Sequence, residues 1–227
     1  MDISANIQTI QQKIITACEK SGRDADEITL IAVSKTKPLQ AIEEAIDCGQ
    51  RHFGENKVQE LTEKMQAFGS GPQWHMVGAL QTNKIKYLVH RADWIHSIGK
   101  IKQLKEVEKR AAAAKRAMNV LIQVNISAED QKSGFAPEAL KEVLTYAQDL
   151  KWARVQGLMG MATFVDDQEL VRPEFRLLRE LRDSHKIYET DRVKMHHLSM
   201  GMTNDLETAI EEGATMVRIG TAIFGGR

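Results

Sequence analysis

The hydrophobic period of this chain changes repeatedly along its length. Ile3, Ile7, Ile10, Ile14, Ile15 and Cys18 recur at helical spacing and predict an amphipathic helix ending near Ser21-Gly22. From there strand-like and helix-like runs take turns. Ile28 to Val33 reads as a buried strand and Leu39 to Cys48 as a helix stopped by Gly49; His52-Phe53-Gly54 reads as a short strand and Val58 to Phe68 as a helix stopped by Gly69. Next come a strand over Trp74 to Val77, a helix through Lys84 to His90, a strand over Trp94 to Ile98 and a long helix from Ile101 to about Met118. Asn119 to Asn125 is the clearest strand. A polar loop over Ser127 to Phe135 leads to a helix from Pro137 to Leu150, with its proline near the first turn, and then to a strand over Val155 to Met161. After an acidic loop at Asp166-Asp167, a helix runs from about Leu170 to His185. His197-Leu198-Ser199 and Met216 to Ile219 are the seventh and eighth strands, with a helix over Asp205 to Glu212 between them.

Eight such strands alternating with helices, without a Pro/Gly/Ser-rich linker, predict an α/β chain folded as one parallel (β/α)8 TIM barrel over residues 1–227, with an extra N-terminal helix. The rival is an open doubly wound sheet, which should carry a glycine-rich phosphate turn after its first strand. That turn here is Ser34-Lys35-Thr36-Lys37-Pro38 and holds no glycine.

Composition narrows the classes. Lys plus Arg and Asp plus Glu each total 31 in 227 residues, so no long-range field draws the chain to nucleic acid or an anionic membrane. Cys18 and Cys48 show neither metal-ligand nor disulfide-framework spacing. The first residues lack the pattern of a signal peptide, and no apolar stretch reaches membrane-spanning length. A cytoplasmic monomer is the expectation.

In a barrel of this kind the active site lies at the C-terminal ends of the strands, and a phosphate site often forms from the loops after strands seven and eight. Ser199 and Gly201 occupy one of those loops, Gly220 and Thr221 the other. The glycines let backbone amides approach an anion and the hydroxyls add donors, although each turn alone reads more readily as a tight, capped connection. Lys35 falls in strand phase with Ile31 and Val33. Strand eight neighbours strand one in a closed ring, so Lys35, Arg218 and both turns should converge. An amine for an aldehyde and fixed donors for a phosphate suit pyridoxal 5'-phosphate. Lys37 is an alternative anchor. Asn56, after strand two, reads either as a partner for a ring hydroxyl or as a helix N-cap. His75 is a core histidine or a base. His196 and His197 point to opposite faces of a strand and cannot share one metal ion, so no metal site is expected.

Several strings carry a more specific resemblance. Ala32-Val33-Ser34-Lys35-Thr36-Lys37, Phe53-Gly54-Glu55-Asn56-Lys57-Val58-Gln59-Glu60, Trp74-His75-Met76-Val77-Gly78, Leu198-Ser199-Met200-Gly201-Met202 and Val217-Arg218-Ile219-Gly220 resemble the pyridoxal phosphate homeostasis proteins, as do Gln123-Val124-Asn125 and Gly157-Leu158-Met159. That family is similar to the barrel domain of alanine racemase. The resemblance implies that Lys35 forms the Schiff base, that Ser199 and the Gly220-Thr221 turn hold the phosphate, and that Arg218 sits against the pyridine nitrogen. Asn56 and Gly201 are carried over with them. Met76, Ala79 and Lys57 depart from the residues that relatives often carry, and some relatives continue into a lysine-bearing tail where this sequence stops at Arg227, so no second cofactor site on such a tail is expected.

An arginine cannot give its proton to the pyridine nitrogen, which leaves the ring a poor electron sink. The racemases take a second base, a tyrosine, from an additional β domain; here Tyr87, Tyr146 and Tyr188 all fall in or near helices. The expected role is therefore a reversible holder of pyridoxal phosphate, with apo-enzymes as candidate recipients and an amino-acid racemase of low activity as the alternative.

Overall fold

Eight parallel strands close into a barrel in chain order: β1 (Thr29–Val33), β2 (His52–Glu55), β3 (Gln73–Met76), β4 (Trp94–Ile98), β5 (Met118–Gln123), β6 (Ala153–Met159), β7 (Val193–Ser199) and β8 (Met216–Ile219). The computed structural model describes residues 2–127, 133–165 and 167–226. Most of the polar loop read after strand five, Asp166 of the acidic loop, and Arg227 lie outside them. The expected (β/α)8 barrel with an N-terminal helix is thus the observed fold.

Helices α1 (Ile3–Ser21), α2 (Leu39–Asp47), α3 (Val58–Phe68), α4 (Ile101–Ala114), α5 (Leu140–Gln148), α6 (Gln168–Ser184), α7 (Leu206–Glu211) and α8 (Thr221–Phe224) surround the sheet. No helix among the described residues is long and apolar enough to cross a membrane. The connection from β3 to β4 departs from the expected helix through Lys84 to His90: it is a 3-10 helix over Thr82–Tyr87. Its buried residue Ile85 and the buried C-cap Leu88 stand three apart, a spacing that the tighter helix places on one face. Helix α4 stops at Ala114 because Lys115 turns left-handed (φ 51°) and donates its N–H to the carbonyls of Ala111 and Ala112. Met118, read as helical, instead opens β5.

α1 seals the seam where the ring closes. Its buried stripe, Ile3, Ile7, Ile10, Ile14, Ala17 and Cys18, packs over the short helices α7 and α8, and Asn6 donates to the carbonyl of Ile223 (2.9 Å). Just beyond, Arg23 donates to the carbonyls of Ile210 (2.8 Å) and Ala214 (2.7 Å) at the end of α7. The β1–β8 junction is thereby held from outside.

The large core lies between sheet and helices, while a small apolar cluster of Ile31, Leu121, Met159 and Met216, with Trp94 against it, occupies the inward phase of the strands. Polar side chains continue that inward layer. His52 Nδ1 lies 3.1 Å from His75 Nε2, His75 Nδ1 lies 2.9 Å from His96 Nε2, and His96 Nδ1 lies 2.8 Å from Ser199 Oγ. Trp94 stacks on His75 with ring planes 5° apart. Burial holds His75 and His96 neutral, well below the ordinary imidazole range; the surrounding imidazoles reinforce this at His75, and Arg218 does so at His96. One consistent set of protons runs in a single direction: Ser199 O–H donates to His96, His96 to His75, and His75 to His52.

Neutral burial makes the fold sensitive to acid. The unfolded chain takes up protons on these imidazoles below about pH 6.5, and the folded chain does not, so stability is present above that pH and is lost as pH falls. The expected loss is roughly 1 kcal/mol per imidazole for each pH unit below that point. Urea unfolding midpoints compared between about pH 7.5 and 5.5 measure it; equal midpoints would show that the imidazoles already titrate in the folded barrel.

Candidate functional site

A cavity of about 610 Å³ opens at the C-terminal mouth of the barrel. Of the residues singled out from the sequence, Lys35, Asn56, Arg218, Gly220 and Thr221 line it, and Ser199 and Gly201 do not. Met161, Thr163 and Phe164 from the β6–α6 loop and Met202 to Asp205 from the β7–α7 loop complete the wall.

Lys35 stands in a turn beyond β1, since the strand ends at Val33 and does not carry Lys35 in its phase. The Ser34 N–H still donates to the Gly54 carbonyl (3.0 Å), after which Lys37 N–H closes onto the Ser34 carbonyl (3.0 Å) and Thr36 adopts φ 63°. A left-handed threonine needs outside support. Glu60 supplies it by accepting from Thr36 N–H, and the same carboxylate oxygen pairs with Lys64 (2.8 Å). Lys64, only 3 % exposed, also donates to the Ser34 carbonyl (2.7 Å) and to Glu55 Oε1 (2.7 Å), which takes a further hydrogen bond from Ser34 Oγ (2.6 Å). Burial pushes the Glu55 carboxyl up, against the opposing pull of Lys64 and Ser34. This buried cluster fixes the turn and leaves the Lys35 side chain exposed at the mouth. Lys37 goes elsewhere: its Nζ donates to the Gly226 carbonyl (2.8 Å), and it lines a separate groove with Pro38 and Glu60.

Arg218, on β8, is 6 % exposed and donates to Ser199 Oγ (2.7 Å) and to the Gly160 carbonyl (3.0 Å). Burial draws its pKa down to about 10, with the charge of Asp205 acting the other way, and the guanidinium is charged at neutral pH. Ser199 therefore sits behind Arg218 as the last link of the histidine chain. Gly201 lies below the β7–α7 loop at φ 92°; a Cβ there would stand 2.6 Å from Ala209 Cβ, and its carbonyl accepts Arg218 N–H (3.0 Å). Its smallness seats α7 beside β8.

Asn56 does not cap α3, whose N-cap is Lys57 with no side-chain hydrogen bond. Its carbonyl runs so close to Gly78 that any side chain there would collide, at 2.4 Å from a Cβ. His75 is buried between His52 and His96, away from the cavity wall. Two features escaped the sequence reading: the His52–His75–His96 chain and the Glu55–Lys64 pair. The signal available for the first was a polar residue at inward phase on three successive strands. For the second it was Lys64 sharing the buried face of α3 with Leu61 and Met65.

The family model for the alanine racemase N-terminal domain matches residues 3–227. A pyridoxal phosphate homeostasis protein from Aquifex aeolicus is 42% identical, covering 100% of this chain and 99% of its own. One from Escherichia coli is 42% identical over 100% and 97%. Among solved structures, a protein of unknown function from Bifidobacterium adolescentis superposes with a TM-score of 0.92 at 34% identity, covering 98% of this chain and 94% of that one. PipY of Synechococcus elongatus, with PLP bound, gives a TM-score of 0.85 at 30% identity over 98% of this chain and 100% of its own. With its barrel matched from end to end, the chain belongs to the pyridoxal phosphate homeostasis proteins, within the alanine racemase N-terminal domain family.

Proposed function

We propose that the mouth of this barrel binds pyridoxal 5'-phosphate as a Schiff base on Lys35 and serves as a reversible holder that supplies apo-enzymes in the cytoplasm. The observation that carries this reading is the joint presence of Lys35, Arg218 and the Gly220-Thr221 turn on one cavity of about 610 Å³, while Lys37 is tied down outside it. The donor set fits the group: an amine for the aldehyde, a guanidinium for the ring nitrogen, and a glycine followed by a hydroxyl for the phosphate. The names of the Aquifex aeolicus and Escherichia coli relatives and the PLP in PipY support it.

When bound, pyridoxal phosphate supplies a carbon open to amines and a ring that can draw electrons. This chain's residues restrain the second property. Arg218 keeps its protons, so it can donate a hydrogen bond to the ring nitrogen but cannot protonate it. Ser199 and the Gly160 carbonyl hold the guanidinium in place from behind. Asn56 stands on the wall toward β2, where it can meet a ring hydroxyl.

A racemase needs a second base. Among the described residues that line the cavity there is no histidine, tyrosine or cysteine, and the one carboxylate, Asp205, accepts from Met202 N–H. His75 has both ring nitrogens engaged by other histidines. The wall therefore favours holding over turnover.

Borohydride reduction followed by peptide mapping should place the label on the peptide holding Lys35. Lys35→Ala should abolish the coloured adduct, whereas Lys37→Ala should keep most of it; the reverse pattern would move the anchor. Arg218→Gln should weaken cofactor retention by about tenfold, the worth of a charge-assisted contact. Equilibrium dialysis measures that loss, and a collapse of thermal stability in the cofactor-free variant would assign Arg218 to the fold alone. Transfer of bound cofactor to an apo-enzyme tests the holder role; efficient amino-acid turnover with the cofactor retained would refute it.

A further inference from the structure

A second cavity, of about 430 Å³, opens beside the first and shares Asn56, Ala79, Gln123 and Ser133 with it. Its wall carries Lys57, Lys84 and Lys100 and no carboxylate among the described residues. None of the three lysines forms an ion pair within the described residues. Among the described residues the Lys84 side chain reaches only the ring of Tyr87, at 5.9 Å.

The placement of two of these lysines runs against helix electrostatics. Lys57 is the N-cap of α3 and Lys100 the N-cap of α4, helices of 11 and 14 residues, and neither N-cap makes a side-chain capping bond. A helix start carries partial positive charge and favours an anion, so a lysine there is the wrong sign unless a negative group joins it. The first turn of α4 holds no acidic residue, and the one in α3, Glu60, is turned away to Lys64 and Thr36. Both helix starts open onto this cavity.

A separate observation points to a ligand. Ser97, on β4, lines the same cavity, is 3 % exposed, and its Oγ has no hydrogen-bond partner among the described residues. A buried hydroxyl left unpaired costs free energy that a bound oxyanion would recover. Gln103 does not fill the role, since its Oε1 accepts from Gly99 N–H (2.9 Å) and its Nε2 donates to the Leu80 carbonyl.

We infer that this cavity is a binding site for a small oxyanion, a carboxylate or a phosphate group, held by Lys57 and Lys100 at two helix starts with Ser97 as the inner hydroxyl partner. Lys84 adds charge from the rim. Because the two cavities share the wall at Asn56 and Gln123, the anion would lie next to whatever occupies the first.

Amide chemical shifts of the full-length protein, titrated in parallel with inorganic phosphate and with succinate, test this. The expected result is a saturable shift at Lys57, Val58, Gly99 and Ile101. A response to phosphate alone identifies a phosphate-bearing ligand, and a response to succinate alone a carboxylate. Lys57→Gln with Lys100→Gln should weaken this response by about tenfold or more. Both lysines are exposed, so the variant keeps the fold, and unchanged phosphate shifts at Gly220 and Thr221 would confirm this. Ser97→Ala should weaken it as well. The inference fails if neither anion moves these amides, if shifts stay confined to Gly220 and Thr221, or if the double variant titrates like the parent.

Discussion

The pairing of β8 with β1 sets Arg218 level with Ile31 and brings Gly220 against Val33, whose carbonyl would stand 3.1 Å from a Cβ on Gly220. Everything at the mouth is measured from that seam. It fixes the guanidinium on one strand and starts the Lys35 turn on the next, so the two charges face one space without being sequence neighbours. The seam is also where the outer layer is thinnest, with α7 and α8 only six and four residues long. The extra helix α1 covers it with a stripe of isoleucines. A helix that contributes nothing to the cavity wall thereby covers the seam on which that wall is built.

Positive charge near the cavity is handled in two ways. Arg218 is buried, and its desolvation is offset by Ser199, the Gly160 carbonyl and the charge of Asp205. Ser199 in turn rests on three neutral imidazoles, which occupy inward positions that aliphatic side chains fill in many barrels. A neutral imidazole both donates and accepts, so the chain satisfies its own polar atoms without adding a charge beside Arg218. Lys64, equally buried, is neutralised by Glu55 and Glu60, and there the charge is spent on shaping a backbone turn.

The alternation of strands and helices was legible because both faces of each parallel strand are buried and each helix has one apolar side. Boundaries were less so. β7 begins at Val193, four residues before the expected start, because Lys194 and His196 interrupt its apolar run while the backbone is already paired. The connection from β3 to β4 carried a helical spacing that its 3-10 geometry also satisfies. At the site, Lys35, Asn56, Arg218, Gly220 and Thr221 could be placed together from strand order alone. What strand order does not give is the direction of a side chain after its strand has ended. Lys35 and Lys37 both follow β1, and only the Glu60–Lys64 support of the turn and the Lys37 contact to Gly226 separate them. Ser199 was legible as a donor at the end of β7, but its partners come from β4 and β8, and no local pattern joins those three strands.

The exposure of Lys35 bears on how a holder differs from a catalyst. A catalytic amine is commonly enclosed, since excluding water strengthens the electrostatics of the site and protects reactive species. Here the amine stands at an open mouth, on a turn made rigid from below, so water and incoming amines can reach any bond formed to it. Arg218 and the Gly220-Thr221 turn are fixed by contrast to the barrel itself. On the proposed reading, binding energy resides mainly in the ring and phosphate contacts, while a covalent bond at Lys35 stays open to exchange. That division would suit the proposed release on demand: the non-covalent contacts would set how long the ligand stays, and the accessible lysine would let a competing amine take it away.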